Sequence, residues 1–249
     1  FDPELFKTKF ACEVKNFDVN QFLDRKEARK LDPYAQYALV STEEAVKTSG
    51  IDFSQLDTDD MGVIWGSGIG GLLTFQEEVI NYTERGKDPK FNPFFIPKMI
   101  ADIAGGHISI KYGLKGPNFA TVSACASSTN SILEAFNYIR FGKSKLMITG
   151  GSEAAVTEAG IGGFNAMKAL SERNESPETA SRPFDKDRDG FVLGEGAGTL
   201  ILEELEHAKA RGAKIYAEVL GGGATADAYH ITAPSPEGTG AAKVMIKAM

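Results

Sequence analysis

The sequence predicts an α/β protein in which helices cover a parallel or mixed sheet. Short apolar segments alternate with longer amphipathic segments along the chain, which is the order of strands and helices that such a sheet requires. Several apolar segments end in glycines, and the 27 glycines cluster rather than scatter. With 249 residues, 42% hydrophobic and 24% charged, the chain can bury a substantial core.

The first predicted helix has clear signals at both ends. Asp32 is a predicted N-cap, because its carboxylate can accept a hydrogen bond from the first helical turn. Pro33 stands at the first helical position, where its missing N–H costs nothing. Gly50 follows the last helical residue and is a typical C-terminal stop. We therefore expect a helix between Asp32 and Gly50.

The elements that follow are predicted from apolar runs and the glycines or prolines that bound them. In chain order they are a strand over 61–65, a glycine-rich turn over 66–71, a helix over 72–84, a Pro- and Phe-rich loop over 85–97, a helix over 98–112, a strand over 118–124, a helix over 126–141, and strands over 145–149 and 198–203. A charged helix over 204–211 and a strand over 214–220 come next. No low-complexity linker or internal repeat marks a domain boundary.

Composition excludes several classes of protein. The 27 basic and 34 acidic residues give a net charge of −7, which argues against nucleic-acid binding. Two cysteines cannot make a disulfide scaffold, so a reducing compartment is expected. No apolar run is long enough to span a membrane, and the N-terminal residues lack the pattern of a signal peptide. These observations predict a cytoplasmic protein.

Glycines at positions 66, 68 and 71 match the G-x-G-x-x-G pattern of dinucleotide sites. That interpretation requires a second strand soon after the helix, ending in an acidic residue that binds the ribose. Here a Pro- and Phe-rich loop and another helix follow, so a close-packed turn lining a pocket is favoured. No metal site is predicted either, because the three histidines and two cysteines lie far apart in sequence.

Cys125 is the strongest candidate for chemistry. An apolar strand stops and a helix begins at this residue, and small residues on both sides permit a tight turn. The free N–H groups and the dipole of a helix N-terminus favour a thiolate there. This setting is typical of a nucleophile on a strand–turn–helix elbow, although a buried structural cysteine is the alternative. Cys12 has no motif around it and is expected to be inert.

Several long motifs resemble those of the β-ketoacyl-(acyl-carrier-protein) synthases, which are thiolase-like condensing enzymes. The synthase II type is the most similar subtype, and the resemblance covers essentially the whole chain. The matching segments are residues 122–128 with Cys125, 162–171, 181–185, 187–198, 203–208, 211–213 and 227–232.

The resemblance implies an α/β/α/β/α sandwich of which this chain is a fragment. Residues 1–213 would be the N-terminal half without its first strand, and residues 214–249 would begin the C-terminal half. The His-Gly-Thr and Lys-Ser-x-x-Gly-His motifs that supply the catalytic histidines and a lysine of the family do not occur here. We therefore expect the 249 residues alone to be inactive and marginally stable.

The resemblance also implies an acyltransferase that performs a decarboxylative Claisen condensation in fatty-acid elongation. Cys125 would accept the acyl group, and its own N–H would be one of the two oxyanion donors. Ile69 and Phe164 match positions that line and gate the acyl pocket, although ordinary core packing is the alternative. No cofactor is implied, because the substrates travel on the phosphopantetheine of acyl carrier protein, and the family works as a homodimer.

A basic run stands out against the negative net charge. Arg25, Lys26, Arg29 and Lys30 would project from one helical face if the segment is helical, because they form two i,i+4 pairs. The resemblance implies that this run, together with Lys168, docks the acidic carrier protein. A solvated surface helix is the alternative.

Three other functions remain open. A polyketide ketosynthase would share the motifs, and a catalytically silent partner subunit would share the fold. The silent class generally lacks the nucleophile, so Cys125 argues against it. A cysteine hydrolase would need a histidine base near Cys125, and only His107, in an apolar segment, is a candidate.

Overall fold

The computed structural model describes residues 1–249 and contains a four-stranded mixed sheet with the order β2-β1-β3-β4. The strands are β1 (Gly62–Gly66), β2 (Asn118–Thr121), β3 (Leu146–Ala154) and β4 (Glu195–Glu203). Strand β1 pairs in parallel with β2 and β3, whereas β4 pairs antiparallel with β3. The predicted α/β class with a mixed sheet is confirmed.

Nine α-helices surround the sheet. They are α1 (Arg25–Ala28), α2 (Pro33–Ser49), α3 (Leu72–Glu84), α4 (Phe95–Met99), α5 (Ile103–Tyr112), α6 (Ser127–Arg140), α7 (Glu158–Ala166), α8 (Leu205–Ala210) and α9 (Thr239–Ala248). None of these helices is both long and apolar enough to cross a lipid bilayer.

The two faces of the sheet carry different helices. Successive side chains of a strand point to opposite faces, so Val63 and Trp65 of β1 point one way and Ile64 the other. Val63 and Trp65 join the main core with buried residues of α2 and α5. Ile64 packs instead with Met147 of β3 and Ala135 of α6. We call these the α2 face and the α6 face.

Helix α2 has the ends that its sequence predicts. The Asp32 Oδ1 accepts a hydrogen bond from the Tyr34 N–H at 3.3 Å, and Pro33 occupies the first turn. Gly50 ends the helix with a φ of 67°, in the left-handed region that favours glycine. The predicted bounds of α3 are also confirmed.

The helix predicted over 98–112 is broken in the structure. Helix α4 ends at Met99, and α5 begins at Ile103. Between them the chain turns the Ile100 carbonyl toward the Tyr34 hydroxyl, which donates to it at 2.5 Å, while the Met99 carbonyl accepts from the Gly71 N–H at 2.9 Å. Tertiary hydrogen bonds therefore replace helical ones at the break.

The glycines after the predicted strand 145–149 do not end it. Strand β3 runs on to Ala154 because Gly150 permits a close approach of β4. A Cβ built on Gly150 would lie 2.0 Å from the Gly198 carbonyl oxygen. For the same reason β4 begins at Glu195 rather than at residue 198. The strand before Cys125 is shorter than predicted and ends at Thr121.

The strand predicted over 214–220 is wrong. These residues are exposed and form neither helix nor strand. A strand requires a neighbour that accepts its hydrogen bonds, and no strand of the sheet pairs with this segment. Apolar side chains such as Ile215, Tyr216 and Leu220 consequently face solvent.

Candidate active site

Cys125 lies on a sharp turn between β2 and α6. A 3₁₀ turn over Ala124–Ala126 connects the strand to the helix and leaves Cys125 exposed with a free thiol. Ala124 has a φ of 50°, which is strained for a residue with a Cβ. The predicted strand–turn–helix elbow is therefore present, and the alternative of a buried structural cysteine is wrong.

Short polar side chains hold the elbow in this conformation. The Ser127 hydroxyl accepts from the Ser123 N–H at 2.9 Å and donates to the Ala124 carbonyl at 2.7 Å. The Thr121 hydroxyl donates to the Ser127 carbonyl at 2.7 Å. Asn130 donates from its side-chain amide to the Ser123 hydroxyl at 2.6 Å. These bonds offset the strain at Ala124, and none of the hydrogen bonds in the structure uses the Cys125 N–H.

Two glycines allow the start of α6 to approach the sheet. A Cβ on Gly66, at the end of β1, would lie 2.5 Å from the Ser128 nitrogen. A Cβ on Gly151, in β3, would lie 2.0 Å from the Ser128 hydroxyl oxygen. The elbow therefore lies directly against the carboxyl end of β1 and the residue of β3 that pairs with it, at the edge where open α/β sheets commonly place their binding sites.

The glycine-rich turn at 66–71 binds a protein carboxylate instead of a phosphate. Oε2 of Glu153 accepts from the N–H groups of Gly68 at 2.7 Å and Ile69 at 3.2 Å. A Cβ on Gly70 would lie 2.6 Å from the Met99 carbonyl oxygen, and one on Gly71 2.5 Å from that of Lys98. The close-packed turn is confirmed, and its N–H donors are already occupied.

Sequence reasoning did not identify Glu153. Its only signal in the sequence is an acidic residue shortly after a predicted buried strand and the two glycines at which that strand is expected to end. Burial raises the pKa of the Glu153 carboxyl, although the N–H groups of Gly68, Ile69 and Gly70 act in the opposite direction. The position of this side chain therefore disfavours its charged form.

Ile69 and Phe164 occupy different surroundings. Ile69 stands on the turn beside the elbow, since a Cβ on the adjacent Gly68 would lie 3.4 Å from the Ala124 carbonyl oxygen. Its side chain is 43% exposed. Phe164 lies on α7, where it is half-buried against a small apolar cluster and packs edge-to-face on Phe191, with ring centroids 5.2 Å apart. The structure thus places Ile69 beside the turn that carries Cys125, whereas the contacts of Phe164 are with Phe191 and the small apolar cluster.

His107 lies on the wrong side of the sheet to serve Cys125. It belongs to α5, which packs on the α2 face, whereas Cys125 precedes α6 on the opposite face. Burial lowers the pKa of His107, and its charged neighbours are Glu27, which raises the pKa, and Lys30, which lowers it. The hydrolase alternative therefore has no base at the elbow.

His207 is paired rather than freely solvated, in contrast to what its charged helix suggests. Its Nδ1 lies 2.5 Å from Oε1 of Glu203, which also receives a two-pronged ion pair from Arg211 at 2.7 and 2.8 Å. Across residues 1–249, no group of three His, Cys, Asp or Glu side chains is arranged to bind a metal ion.

The basic run forms the wall between two neighbouring surface grooves. Helix α1 ends at Ala28, so the four cations do not share one helical face as expected. Arg25 lines the first groove and Lys26 and Lys30 the second, while Arg29 reaches both. All four side chains are exposed.

Two further cations complete the second groove. Arg85 and Lys90, from the loop after α3, face the basic run across a floor that includes Phe91 and Phe94. The Lys30 ammonium lies 5.6 Å from the Phe94 ring centre. Sequence reasoning missed this pair because more than fifty residues separate it from the basic run. Lys168 lies apart from the grooves, at the end of α7, exposed and with a φ of 55°.

The chain belongs to the beta-ketoacyl synthase family. The model of the beta-ketoacyl synthase N-terminal domain matches residues 4–208. Similar curated proteins include the 3-oxoacyl-[acyl-carrier-protein] synthase 2 of Staphylococcus aureus, which is 51% identical over 249 residues. The protein of the same name from Synechocystis sp. (strain ATCC 27184 / PCC 6803 / Kazusa) is 48% identical. Both alignments cover 100% of this chain, and 61% and 60% of those proteins.

Solved structures agree with this assignment. A beta-ketoacyl synthase from Burkholderia phymatum STM815 superimposes with a TM-score of 0.88 at 34% identity, covering 98% of this chain and 59% of that one. The ishigamide ketosynthase/chain length factor superimposes with a TM-score of 0.88 at 31% sequence identity, covering 100% of this chain and 60% of that one. The AntDE:AntF complex contains a type II polyketide acyl carrier protein with its ketosynthase. It superimposes with a TM-score of 0.68 at 25% sequence identity, covering 82% of this chain and 56% of that one. The expected thiolase-like fold is confirmed, and the chain spans about 60% of these relatives.

Proposed function

We propose that this chain is the nucleophile-bearing part of a β-ketoacyl-acyl-carrier-protein synthase II that elongates fatty acids. The exposed thiol of Cys125 on a strained elbow is the observation that carries the proposal. A side chain held in this way is open to a thioester, and the Cys125 N–H beside it has no acceptor within the chain. The similarity to synthase 2 enzymes of two bacteria supports the choice of substrate class.

The first stage is a thioester exchange at Cys125. Its sulfur attacks the acyl carbonyl, the bond to the carrier's pantetheine sulfur breaks, and the carrier thiol leaves with a proton. Negative charge develops on the carbonyl oxygen during the attack, so an oriented N–H donor lowers the barrier. The Cys125 N–H is available for this role because no acceptor within the chain uses it.

The second stage forms the new carbon–carbon bond. Malonyl-carrier loses carbon dioxide, its carbanion attacks the acyl carbonyl, and Cys125 leaves as a thiolate. The chain contains no His-Gly-Thr or Lys-Ser-x-x-Gly-His motif to stabilise the enolate. We therefore assign residues 1–213 to the N-terminal half of the sandwich and residues 214–249 to the start of the C-terminal half, with the histidines and the second oxyanion donor outside this sequence. No resident cofactor takes part.

The acyl chain is proposed to lie along Ile69, with Phe164 as a gate. Ile69 is partly exposed next to the elbow, which suits a wall of an apolar channel. Phe164 and its partner Phe191 would move together, because their rings are in edge-to-face contact. In this proposal a bulkier side chain at position 69 shortens the acyl group that Cys125 accepts.

The second groove is proposed to dock the acidic acyl carrier protein. Lys26, Arg29 and Lys30 face Arg85 and Lys90 there, and this concentration of positive charge contrasts with the net charge of −7. Arg25 extends the surface into the first groove, and Lys168 is proposed as a further contact. Charge pairing of this kind speeds encounter more than it strengthens the final complex.

A homodimer in the cytoplasm completes the proposal. Strand β2 is an edge strand, so one row of its backbone N–H and C=O groups is unpaired in the sheet. Exposed Ile96 and Ile100 lie at α4 and just after it, outside both grooves. An exposed edge and exposed large apolar side chains are the features that a second subunit covers.

The decisive experiment is acylation of the full-length protein by an acyl-carrier substrate, followed by peptide mass spectrometry. The acyl group is expected on Cys125, and Cys125→Ala should abolish both transfer and elongation. Cys12→Ala is the matched control, since Cys12 is also free and exposed but lies away from the elbow. Labelling of Cys12, or elongation by Cys125→Ala, would refute the assignment.

Docking is tested separately by charge reversal. Lys26, Arg29 and Lys30 changed to Glu should raise the KM for acyl-carrier about tenfold or more and remove its salt dependence. The reaction with a small acyl thioester should be unchanged. Reversal of Lys143, an exposed lysine outside both grooves, serves as the control. An equal effect on both substrates would show that the groove is only structural.

A further inference from the structure

Glu153 binds four consecutive residues of the glycine-rich turn. Its Oε2 accepts from the N–H groups of Gly68 at 2.7 Å and Ile69 at 3.2 Å. The Ser67 hydroxyl donates to Oε1 at 3.4 Å and accepts from the Gly70 N–H at 3.1 Å. One carboxylate, directly and through one hydroxyl, therefore determines the conformation of residues 67–70.

The turn that Glu153 holds is also in contact with the elbow. A Cβ on Gly68 would lie 2.9 Å from Oε2 of Glu153 and 3.4 Å from the Ala124 carbonyl oxygen. Ala124 is the strained residue directly before Cys125. On its other side the turn is bounded by the Met99 carbonyl, 2.6 Å from a Cβ on Gly70. A shift of the Glu153 carboxylate would therefore move Ile69 relative to Cys125.

We propose that Glu153 is a positioning residue that fixes the distance between Ile69 and Cys125 and thereby sets the length of acyl chain that the enzyme accepts. This inference rests on the proposed function, because it assigns selectivity to the acyl pocket of that site. The carboxylate acts through the backbone of the turn and does not touch the substrate. Charged acceptors hold N–H donors about twice as strongly as neutral acceptors, so the charge matters as well as the shape.

The effect of Glu153 on stability distinguishes positioning from ordinary structural support. Burial disfavours its ionised form, and the raised pKa of its carboxyl shows that the hydrogen bonds do not fully compensate. Glutamine has nearly the same shape, keeps one oxygen for the two N–H groups and removes the charge. Its amide can donate to the Ser67 hydroxyl, which replaces the hydrogen bond that Oε1 accepts. Glu153→Gln should therefore unfold at a temperature equal to or above that of the wild type at neutral pH, while its selectivity changes.

The test uses the full-length protein with Glu153→Gln, Glu153→Ala and, as a control, Glu44→Gln on an exposed position of α2. Rates of Cys125 acylation are measured with butyryl-carrier and dodecanoyl-carrier, and alkylation by iodoacetamide reports the elbow alone. Both Glu153 variants should change the ratio of the two acylation rates by about tenfold, with alkylation within about twofold of the wild type. The control should change neither.

Hydrogen exchange of the Gly68 and Ile69 amides provides a readout that does not depend on catalysis. It should accelerate in Glu153→Ala and less in Glu153→Gln. An unchanged acylation ratio, or an equal fall of both acylation rates and alkylation, would overturn the positioning role. If the wild type is not acylated, the proposed function and this role fail together. If the enzyme is active but hydrogen exchange of the two amides is the same in the wild type and in Glu153→Ala, Glu153 does not fix the conformation of the turn, and only this inference fails.

Discussion

The two faces of the sheet are built differently. On the α2 face, 18 buried residues form one continuous core between the sheet, α2 and α5. Among the hydrophobic residues of the α6 face only Ile64, Ala135 and Met147 are fully buried, and those around them are half-buried. The same strands supply both faces, so the difference comes from the helices and from what covers them.

The hydrogen bonds at the helix ends also differ between the two faces. Both ends of α2 are fixed to other elements, by Asp32 with Thr74 at the N-terminus and by Arg211 with the Ser49 carbonyl at the C-terminus. The N-terminus of α6 is held mainly by its own turn and by Ser131. The α2 face therefore provides stability, whereas the α6 face carries the candidate site and retains freedom to accommodate a ligand or further protein.

The largest expected effect comes from two neighbouring residues of β3. Ile148 faces the α2 core and Met147 the α6 cluster, and both are fully buried. We expect Ile148→Ala to lower the free energy of unfolding by about 4 kcal/mol and Met147→Ala by about 2 kcal/mol. The loss is smaller at Met147 because its half-buried neighbours, such as Tyr138 and Leu202, can move into the space. Urea unfolding of the two variants measures the difference.

Ile148→Val is the control for this pair and should cost about 1 kcal/mol, since it removes one methyl group. Equal losses at the two positions would show that the α6 face is packed as tightly as the α2 face, and the comparison would fail.

The next largest effect is expected at the C-terminus of α2, where Arg211 links Glu203 to the Ser49 carbonyl. Glu203, whose side chain is 7% exposed, accepts two hydrogen bonds from Arg211, which also donates to the Ser49 carbonyl at 2.9 Å. Arg211→Ala would leave a buried carboxylate with only His207, at an expected cost of about 2–3 kcal/mol in urea unfolding. The free energy of unfolding of Arg211→Lys should lie between those of the wild type and Arg211→Ala, because an ammonium keeps the charge but cannot make the two-pronged contact.

The cost of Arg211→Ala should depend on pH. Burial alone would raise the pKa of Glu203, but hydrogen bonds from Arg211 and His207 outweigh it and hold the pKa below its ordinary value of 4.5. A lowered pKa stabilises the fold above the ordinary value, and this contribution is lost as the pH falls through the lowered one. The difference in free energy of unfolding between Arg211→Ala and the wild type should therefore become smaller in acid. A constant gap would mean that Arg211 acts through packing alone.

The sequence predicted local signals well and close approaches poorly. Asp32, Pro33 and Gly50 defined α2 because capping and the left-handed glycine are properties of neighbouring residues. The local sequence predicts that the strand ends at Gly150 and Gly151, whereas these glycines admit β4 and α6 at distances that only the folded chain reveals.

The same distinction applies to the candidate site. Cys125 was found because its turn is local in sequence and its motif is long. Glu153 and the pair Arg85 and Lys90 were missed, because each meets its partners only across the fold. The strand expected over 214–220 failed for a related reason, since a strand depends on a neighbour that the segment itself does not specify.

The third prediction concerns the tie at the N-terminus of α2. Asp32 is fully buried, and its Oδ2 accepts from the Thr74 N–H at 3.0 Å and the Thr74 hydroxyl at 2.7 Å. Asp32→Asn should cost about 1.5 kcal/mol at neutral pH, because an amide has a single acceptor oxygen for bonds that now use two.

The pH dependence at Asp32 should run opposite to that at Glu203. Burial raises the pKa of Asp32 despite the hydrogen bonds from Thr74 and Tyr34. A carboxyl with a raised pKa stabilises the fold below its ordinary value, and this contribution is lost as the pH rises through the raised one. The gap between Asp32→Asn and wild type should therefore widen in acid. Parallel pH profiles for the Asp32 and Arg211 variants would contradict this difference between the two ends of α2.

The smallest effect is expected at the polar tie of the α6 face. The buried Ser131 hydroxyl donates to the Gly150 carbonyl of β3 at 2.5 Å, so Ser131→Ala should cost only about 1 kcal/mol, as for one neutral hydrogen bond. Ser109→Ala on α5 is the matched control, because it also removes one hydroxyl bound to a carbonyl, that of Leu114, at 2.6 Å.

The two serine variants should have similar stability but different rates of Cys125 alkylation. Ser131 lies in the second turn of the helix that begins two residues after Cys125, so its loss loosens the support of the elbow. Ser109 lies on the opposite face. Alkylation of Cys125 by iodoacetamide should therefore change by about twofold to threefold in Ser131→Ala and remain unchanged in Ser109→Ala. Equal rates in both variants would mean that the elbow is fixed by its own turn alone and is independent of the α6 face.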